Sequence, residues 1–131
     1  MKKYIYILYD GSNLFTRRVS KKEKVAFKKD FKSLQRFNSD LIQKFKRIIP
    51  LIFVDYSLKY IIDDRDWLEQ EIKVGRIFEA EIGHEADEYL IGFLKVLPLR
   101  ILIVSNDKFR DHQKNIPLIY EGILWLSLIH I

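Results

Sequence analysis

The chain alternates short apolar runs with segments of helical periodicity, and that alternation leaves few folds open to it. Lys3–Tyr9, Leu51–Val54, Arg76–Ala80 and Leu99–Val104 read as strands. After the first strand, a Ser20-x-x-Glu23 box predicts a long helix beginning near Ser20. Its apolar stripe is Phe27, Phe31, Leu34, Leu41, Phe45 and Ile48, which keeps its phase across a candidate bend at Asn38-Ser39-Asp40. Pro50 is expected to open the second strand, which ends at Asp55, and residues 56–65 form a connection. Asp66-Trp67-Leu68-Glu69 is a second capping box, for a helix through Val74 that Gly75 closes in the left-handed conformation. A further helix is predicted over Glu85 to Val96, a short one from Lys108, and a fifth strand over Leu124–Ile131. The βαβαβαβ order implies an α/β three-layer sandwich: a mostly parallel four- or five-stranded sheet with helices on both faces. Residues 1–131 are read as a single domain.

Three polar stretches fall where such a sheet concentrates its chemistry. Asp10-Gly11-Ser12-Asn13 follows the first strand, with Gly11 letting the chain turn sharply. Ser105-Asn106-Asp107, running on to Arg110-Asp111-His112, follows the fourth strand, and Ala86-Asp87-Glu88 opens a helix. The carboxyl ends of parallel strands are where open α/β sheets bind and react. Carboxylates gathered there repel one another unless a cation lies between them. Oxygen ligands in a chain without cysteine point to one or two Mg²⁺ or Mn²⁺ ions.

Asp10 can hold a metal directly, with Asn13 as a neutral oxygen ligand or the orienter of a bound water. The same spacing fits a turn in which both satisfy backbone N–H groups. Asp87 shares a helix face with Leu90, Ile91 and Leu94, whereas Glu88 lies about 100° around the helix. Asp87 is therefore read as the inner ligand and Glu88 as a second or water-mediated one, against a cap, a buried pair or a surface group. Asp107 and Asp111 share one face if a helix begins at Asp107, with about 5–6 Å between their Cβ atoms. A helix cap followed by a first-turn acid accounts for that pair equally simply. Ser105 is placed to lock a neighbouring carboxylate by hydrogen bonding.

Charge bears on the partner. The formal net charge is +5, from 23 Lys and Arg against 18 Asp and Glu. Much of the excess lies at Lys21-Lys22, Lys24, Lys28-Lys29, Lys32, Lys44, Lys46 and Arg47. A positive body around an acidic cleft attracts polyanions, and a solvated helix face explains the same charges. Arg17 and Arg18 are candidate contacts to an RNA backbone, and Lys108, Arg110 and His112 to phosphate beside the acids. His84, His112 and His130 lack zinc spacing, and Trp67 and Trp125 read as packing residues. Absent cysteine fits a reducing compartment, and Met1-Lys2-Lys3 leads into a strand pattern rather than a signal peptide. With no membrane-length apolar run, the expected setting is the cytoplasm, with no membrane partner.

The motifs, in this order, resemble the NYN branch of the PIN-like nucleases, which includes CCCH-finger ribonucleases and protein-only ribonuclease P. The carrying residues are Tyr9-Asp10-Gly11-Ser12-Asn13-Leu14, Glu85-Ala86-Asp87-Glu88-Tyr89-Leu90-Ile91, and Val104-Ser105-Asn106-Asp107-Lys108-Phe109-Arg110-Asp111-His112. The resemblance implies a Rossmann-like PIN-type fold and divalent-metal-dependent endoribonuclease activity. It implies catalytic roles for Asp10, Asn13, Asp87, Asp107 and Asp111, with metal held by Asp10, Asp87, Glu88, Asp107 and Asp111. Glu88 stands where the CCCH-finger ribonucleases often carry a second aspartate, a departure with a longer reach. These 131 residues carry neither the finger nor the helical RNA-recognition repeats of such relatives. Substrate choice then falls to the chain's own surface, to a homo-oligomer or to a protein partner.

Two alternatives stay open at this level. Structure-specific DNA cleavage is available to the same carboxylates, and a catalytically silent RNA-binding or partner-binding protein fits the basic helix. A haloacid-dehalogenase-type phosphatase normally carries a second aspartate two residues after the first, where Ser12 stands here.

Overall fold

A computed structural model describes residues 4–96 and 101–105, with the side chains of Asp87 and of residues 93–96 outside the description. The first strand, β1 (Ile5–Asp10), runs into a one-turn helix, α1 (Gly11–Phe15). A small antiparallel hairpin follows, β2 (Thr16–Arg18) and β3 (Lys24–Ala26). The long helix α2 (Lys28–Lys44) leads to β4 (Ile48–Val54), a 3-10 helix at Tyr56–Tyr60, and α3 (Arg65–Lys73). Then come β5 (Phe78–Glu79), α4 (Ala86–Val96) and β6 (Ile101–Val104).

Period-two alternation builds the layers. Ile7 and Tyr9 of β1 pack with Ile52, Val54 and Val104 against Phe31 and Leu34 of α2 and Leu68 of α3. The intervening Leu8, with Phe53 and Ile103, packs on Ala86, Leu90 and Ile91 of α4. Helices therefore cover both faces of a four-stranded sheet ordered β5-β4-β1-β6, every pairing in which is parallel. The α/β three-layer expectation holds, and no helix among the described residues is long and apolar enough to cross a membrane.

Several local expectations shift. The Ser20–Glu23 box does form its bond, Glu23 N–H donating to Ser20 Oγ at 3.1 Å, but it closes the hairpin loop. The long helix starts only at Lys28 and runs unbroken through Asn38-Ser39-Asp40 to Lys44, so Ile48 belongs to β4 instead. Asp64 rather than Asp66 caps α3, accepting from Trp67 N–H at 3.0 Å, and Asp63 accepts from Lys28 N–H at 2.7 Å. Gly75, at φ 82°, ends that helix as expected. The third strand contracts to Phe78–Glu79. The helix from Lys108 and the strand over Leu124–Ile131 lie outside the described residues.

Pro50 sits inside β4, opposite Ile7 of β1, rather than opening the strand. Val54 O accepts from Ala80 N at 2.9 Å on the β5 side, so strand alternation turns Pro50 that way too. There β5 pairs only with Phe53 and Val54. Among the described residues no strand pairs with that stretch, so the missing N–H of proline removes no ladder bond there.

Candidate active site

The sheet order decides where a site can form. From β1 the chain moves outward through β4 to β5, then returns to place β6 on the other flank of β1. The crevice above the carboxyl ends of β1 and β6 is the topological switch point. Tyr9 pairs in register with Val104, so the next residues, Asp10 and Ser105, end up side by side.

Asp10 is the last residue of β1 and only 5% exposed. Its Oδ1 accepts from Asn13 N–H at 3.3 Å, capping α1, while Oδ2 lies 3.3 Å from Ser105 Oγ. Ser105 Oγ is also 3.0 Å from Asn13 Oδ1. The turn is possible because residue 11 is glycine, though for a steric reason. A Cβ at Gly11 would stand 2.9 Å from a ring carbon of Phe31 and 3.1 Å from Phe53 O. Just beneath, Tyr9 is buried and its phenol donates to Asn38 Oδ1 at 2.7 Å; burial pushes that phenol far above its ordinary pKa.

A second acid joins from the next strand. Asp55 follows β4, and its N–H donates to Ser12 Oγ at 2.7 Å. Its Oδ1 accepts from Ala86 N–H at 2.6 Å, capping α4 from 31 residues away. One residue thereby ties the β1–α1 turn to the helix start that carries Asp87 and Glu88. A cleft of about 360 Å³ opens here, lined by the buried Asp10, by Asn13, Asp55 and Glu85, and by the exposed Arg18 and Lys24 of the hairpin.

No protein-family model matches this chain, and no curated protein matches it in a sequence search.

The predicted residues separate under that geometry. Asp10, Asn13 and Ser105 meet at the switch point. Asp87 is the second residue of α4, in the helix turn that Asp55 caps. Glu88 is exposed and its Oε2 lies 2.7 Å from His84 Nδ1, an engagement outside the cleft lining. Arg18 lines the cleft, but Arg17, on the opposite face of β2, pairs with Asp30 at 3.6 Å. Asp107, Lys108, Arg110, Asp111 and His112 lie outside the described residues. Asp55 and Glu85 join the cleft without having been singled out as site residues. The signal for Asp55 was present: like Asp10, it is an acid immediately following an apolar strand.

Among the described residues no group of three or more His, Asp or Glu side chains is arranged to hold a metal. The donors that do meet are all oxygens: a buried carboxylate from Asp10, the Asn13 amide oxygen and the Ser105 hydroxyl. Such a set fits a hard divalent cation rather than zinc or copper. Asp55, its carboxylate engaged by the α4 N-terminus, fits a supporting role.

Proposed function

We propose that this chain is a divalent-metal-dependent endoribonuclease that hydrolyses RNA phosphodiesters to 5′-phosphate and 3′-hydroxyl ends. The observation that carries the reading is the buried Asp10 carboxylate at the switch point, 3.3 Å from Ser105 of the neighbouring strand, in a cleft also lined by Arg18 and Lys24. Acids and cations lining one cleft suit a phosphodiester: the cations attract the polyanion and the acids serve the reacting group. Mg²⁺ or Mn²⁺, one or two ions held by Asp10 and Asn13 with Asp87, Asp107 and Asp111, would supply an activated water and charge stabilisation at the leaving oxygen. The chain's own groups would do the positioning. Ser105 would fix the Asp10 carboxylate, Asp55 would hold the first turn of α4 against the cleft, and Arg18 would meet the substrate backbone. Glu88, engaged by His84, is left out of the donor set. A cysteine-free, basic chain suits RNA processing or decay in the cytoplasm.

The test is cleavage of end-labelled RNA by the purified chain in Mg²⁺ or Mn²⁺, beside Asp10→Asn. The expected result is 5′-phosphate products from the wild type and none from the variant, with circular dichroism unchanged. Full activity in Asp10→Asn, or 2′,3′-cyclic phosphate ends, would reject the assignment. DNA cleavage with RNA inert would move it to a structure-specific DNA nuclease. Metal-independent RNA binding without turnover would make the chain a silent RNA-binding protein.

A further inference from the structure

Resting on the ribonuclease reading, we propose that the β2–β3 hairpin is a phosphate-binding arm for single-stranded RNA, gripping the backbone beside Asp10 through Arg18 and Lys24. Residues 16–24 hold five cations, Arg17, Arg18, Lys21, Lys22 and Lys24, against one acid, Glu23. Strand alternation sorts them. Thr16 pairs with Ala26 and Arg18 with Lys24, so these four share one face; Arg17 and Val25 take the other. Thr16, Arg18 and Lys24 line the same cleft as Asp10, whereas Arg17 turns back to Asp30 and lies 6.0 Å from the Phe27 ring centre.

Two like charges directly opposite on a ladder destabilise a hairpin. Among the described residues no ion pair relieves either Arg18 or Lys24. The arrangement stays folded because the hairpin is fastened at both ends. At the base, Ala26 N–H donates to Ile61 O at 3.2 Å and Asp63 N–H to Ala26 O at 3.1 Å. Near the tip, Arg18 Nη1 donates to Lys21 O at 2.8 Å, which fixes the guanidinium and leaves its other donors for a ligand. Two like charges paired across the ladder and lining a cleft with Asp10, Asp55 and Glu85 are matched by a polyanion with several negative groups. Phosphates flanking the one at Asp10 meet that description. The cleft, at about 360 Å³, is on the scale of a single nucleotide, and a flexible single strand can bring its neighbouring phosphates to the arm.

The experiment is fluorescence anisotropy of a labelled single-stranded RNA in EDTA, where no cleavage occurs, across a salt series. Arg18→Ala/Lys24→Ala is compared with Arg17→Ala/Lys29→Ala, which removes the same charge from two residues lying over Phe27. The first pair should weaken binding about tenfold at moderate salt and flatten the log–log salt slope by about 1.4, about 0.7 for each phosphate no longer neutralised. The control should stay close to wild type. Equal slopes for the two pairs would overturn the arm while leaving the ribonuclease reading intact. A wild-type chain that binds no RNA in EDTA would also overturn the arm, and cleavage in Mg²⁺ or Mn²⁺ then decides the ribonuclease reading separately. Thermal melting monitors the fold, and relief of the like-charge pair should leave it unchanged or raise it. If the double variant does not fold, Arg18→Gln alone, expected to lower the slope by about 0.7, decides the question.

Discussion

Ser105 and Asp10, 95 residues apart in sequence, meet with Oγ 3.3 Å from Oδ2 across the seam between β1 and β6. The same hydroxyl lies 3.0 Å from Asn13 Oδ1, so a single proton serves two oxygens that the proposed chemistry requires in fixed positions. Ser105→Ala should lower RNA cleavage about tenfold, corresponding to about 1–1.5 kcal/mol for one hydrogen bond. Thermal unfolding measured alongside should move little. A melting loss as large as the activity loss would show that the hydroxyl merely holds the strands together.

Gly11 shows how tightly the turn after β1 is built. The Cβ of Gly11→Ala would fall 2.9 Å from Phe31 and 3.2 Å from an Ile52 methyl carbon, both in or beside the core. Urea unfolding should register a loss of about 1–3 kcal/mol from this one methyl group. Activity should fall further than stability, because the residue that shifts is the neighbour of Asp10.

The buried pair of Tyr9 and Asn38 is suited to a double-mutant cycle. Asn38 lies in the apolar stripe of α2 between Leu34 and Leu41, and its Oδ1 accepts the Tyr9 phenol proton at 2.7 Å. Asn38→Leu should cost about 1–3 kcal/mol by stranding that hydroxyl, and Tyr9→Phe a similar amount by stranding the amide. Combining Tyr9→Phe with Asn38→Leu should recover much of the loss, since no polar group is then left unmet. Additive losses in chemical denaturation would contradict the pairing.

Glu71 provides the pH dependence. Hydrogen bonding from Arg76, with Gln35 assisting and burial opposing, holds its carboxyl below the ordinary glutamate range. A depressed folded-state pKa gives stability that is complete above the unfolded value, about 4.3, and fades as pH falls through the folded one. At neutral pH, Glu71→Gln should cost about 1–2 kcal/mol, toward the low end because Arg76 is 61% exposed. The gap in melting temperature between the two proteins should be constant above pH of about 5 and shrink in more acidic buffer. A gap that persists at low pH would place the effect in packing.

The sequence disclosed the layers because Tyr4–Tyr9 and Ile101–Val104 are apolar on both faces, as strands covered on both sides must be. Asp10, Asn13 and Ser105 were legible for the same reason: each sits at or just past such a run. Local signals failed where the partner was distant. Ser20 makes the bond its motif promises, yet the bond serves a helix start and a hairpin loop equally well, and attachment of Ala26 to Ile61 and Asp63 selected the hairpin. The Asp66 box misplaced the start of α3: Asp64 makes the cap to Trp67 N–H, and Lys28, reached through the fold, holds that carboxylate at 2.9 Å while its own N–H bonds Asp63. The capping of Ala86 by Asp55 has no local signature at all. Adjacent Arg17 and Arg18 read alike until a strand places them on opposite faces.

Pro50 bears on how this molecule behaves in a crowded solution. With no donor turned outward at that point, the stretch of β4 that no described strand covers is a poor template for a foreign strand, a common defence against sheet-to-sheet polymerisation. Filaments and amyloid-like seeds should therefore fail to grow from this flank, and a valine in place of the proline should shorten the lag before turbidity appears at high concentration.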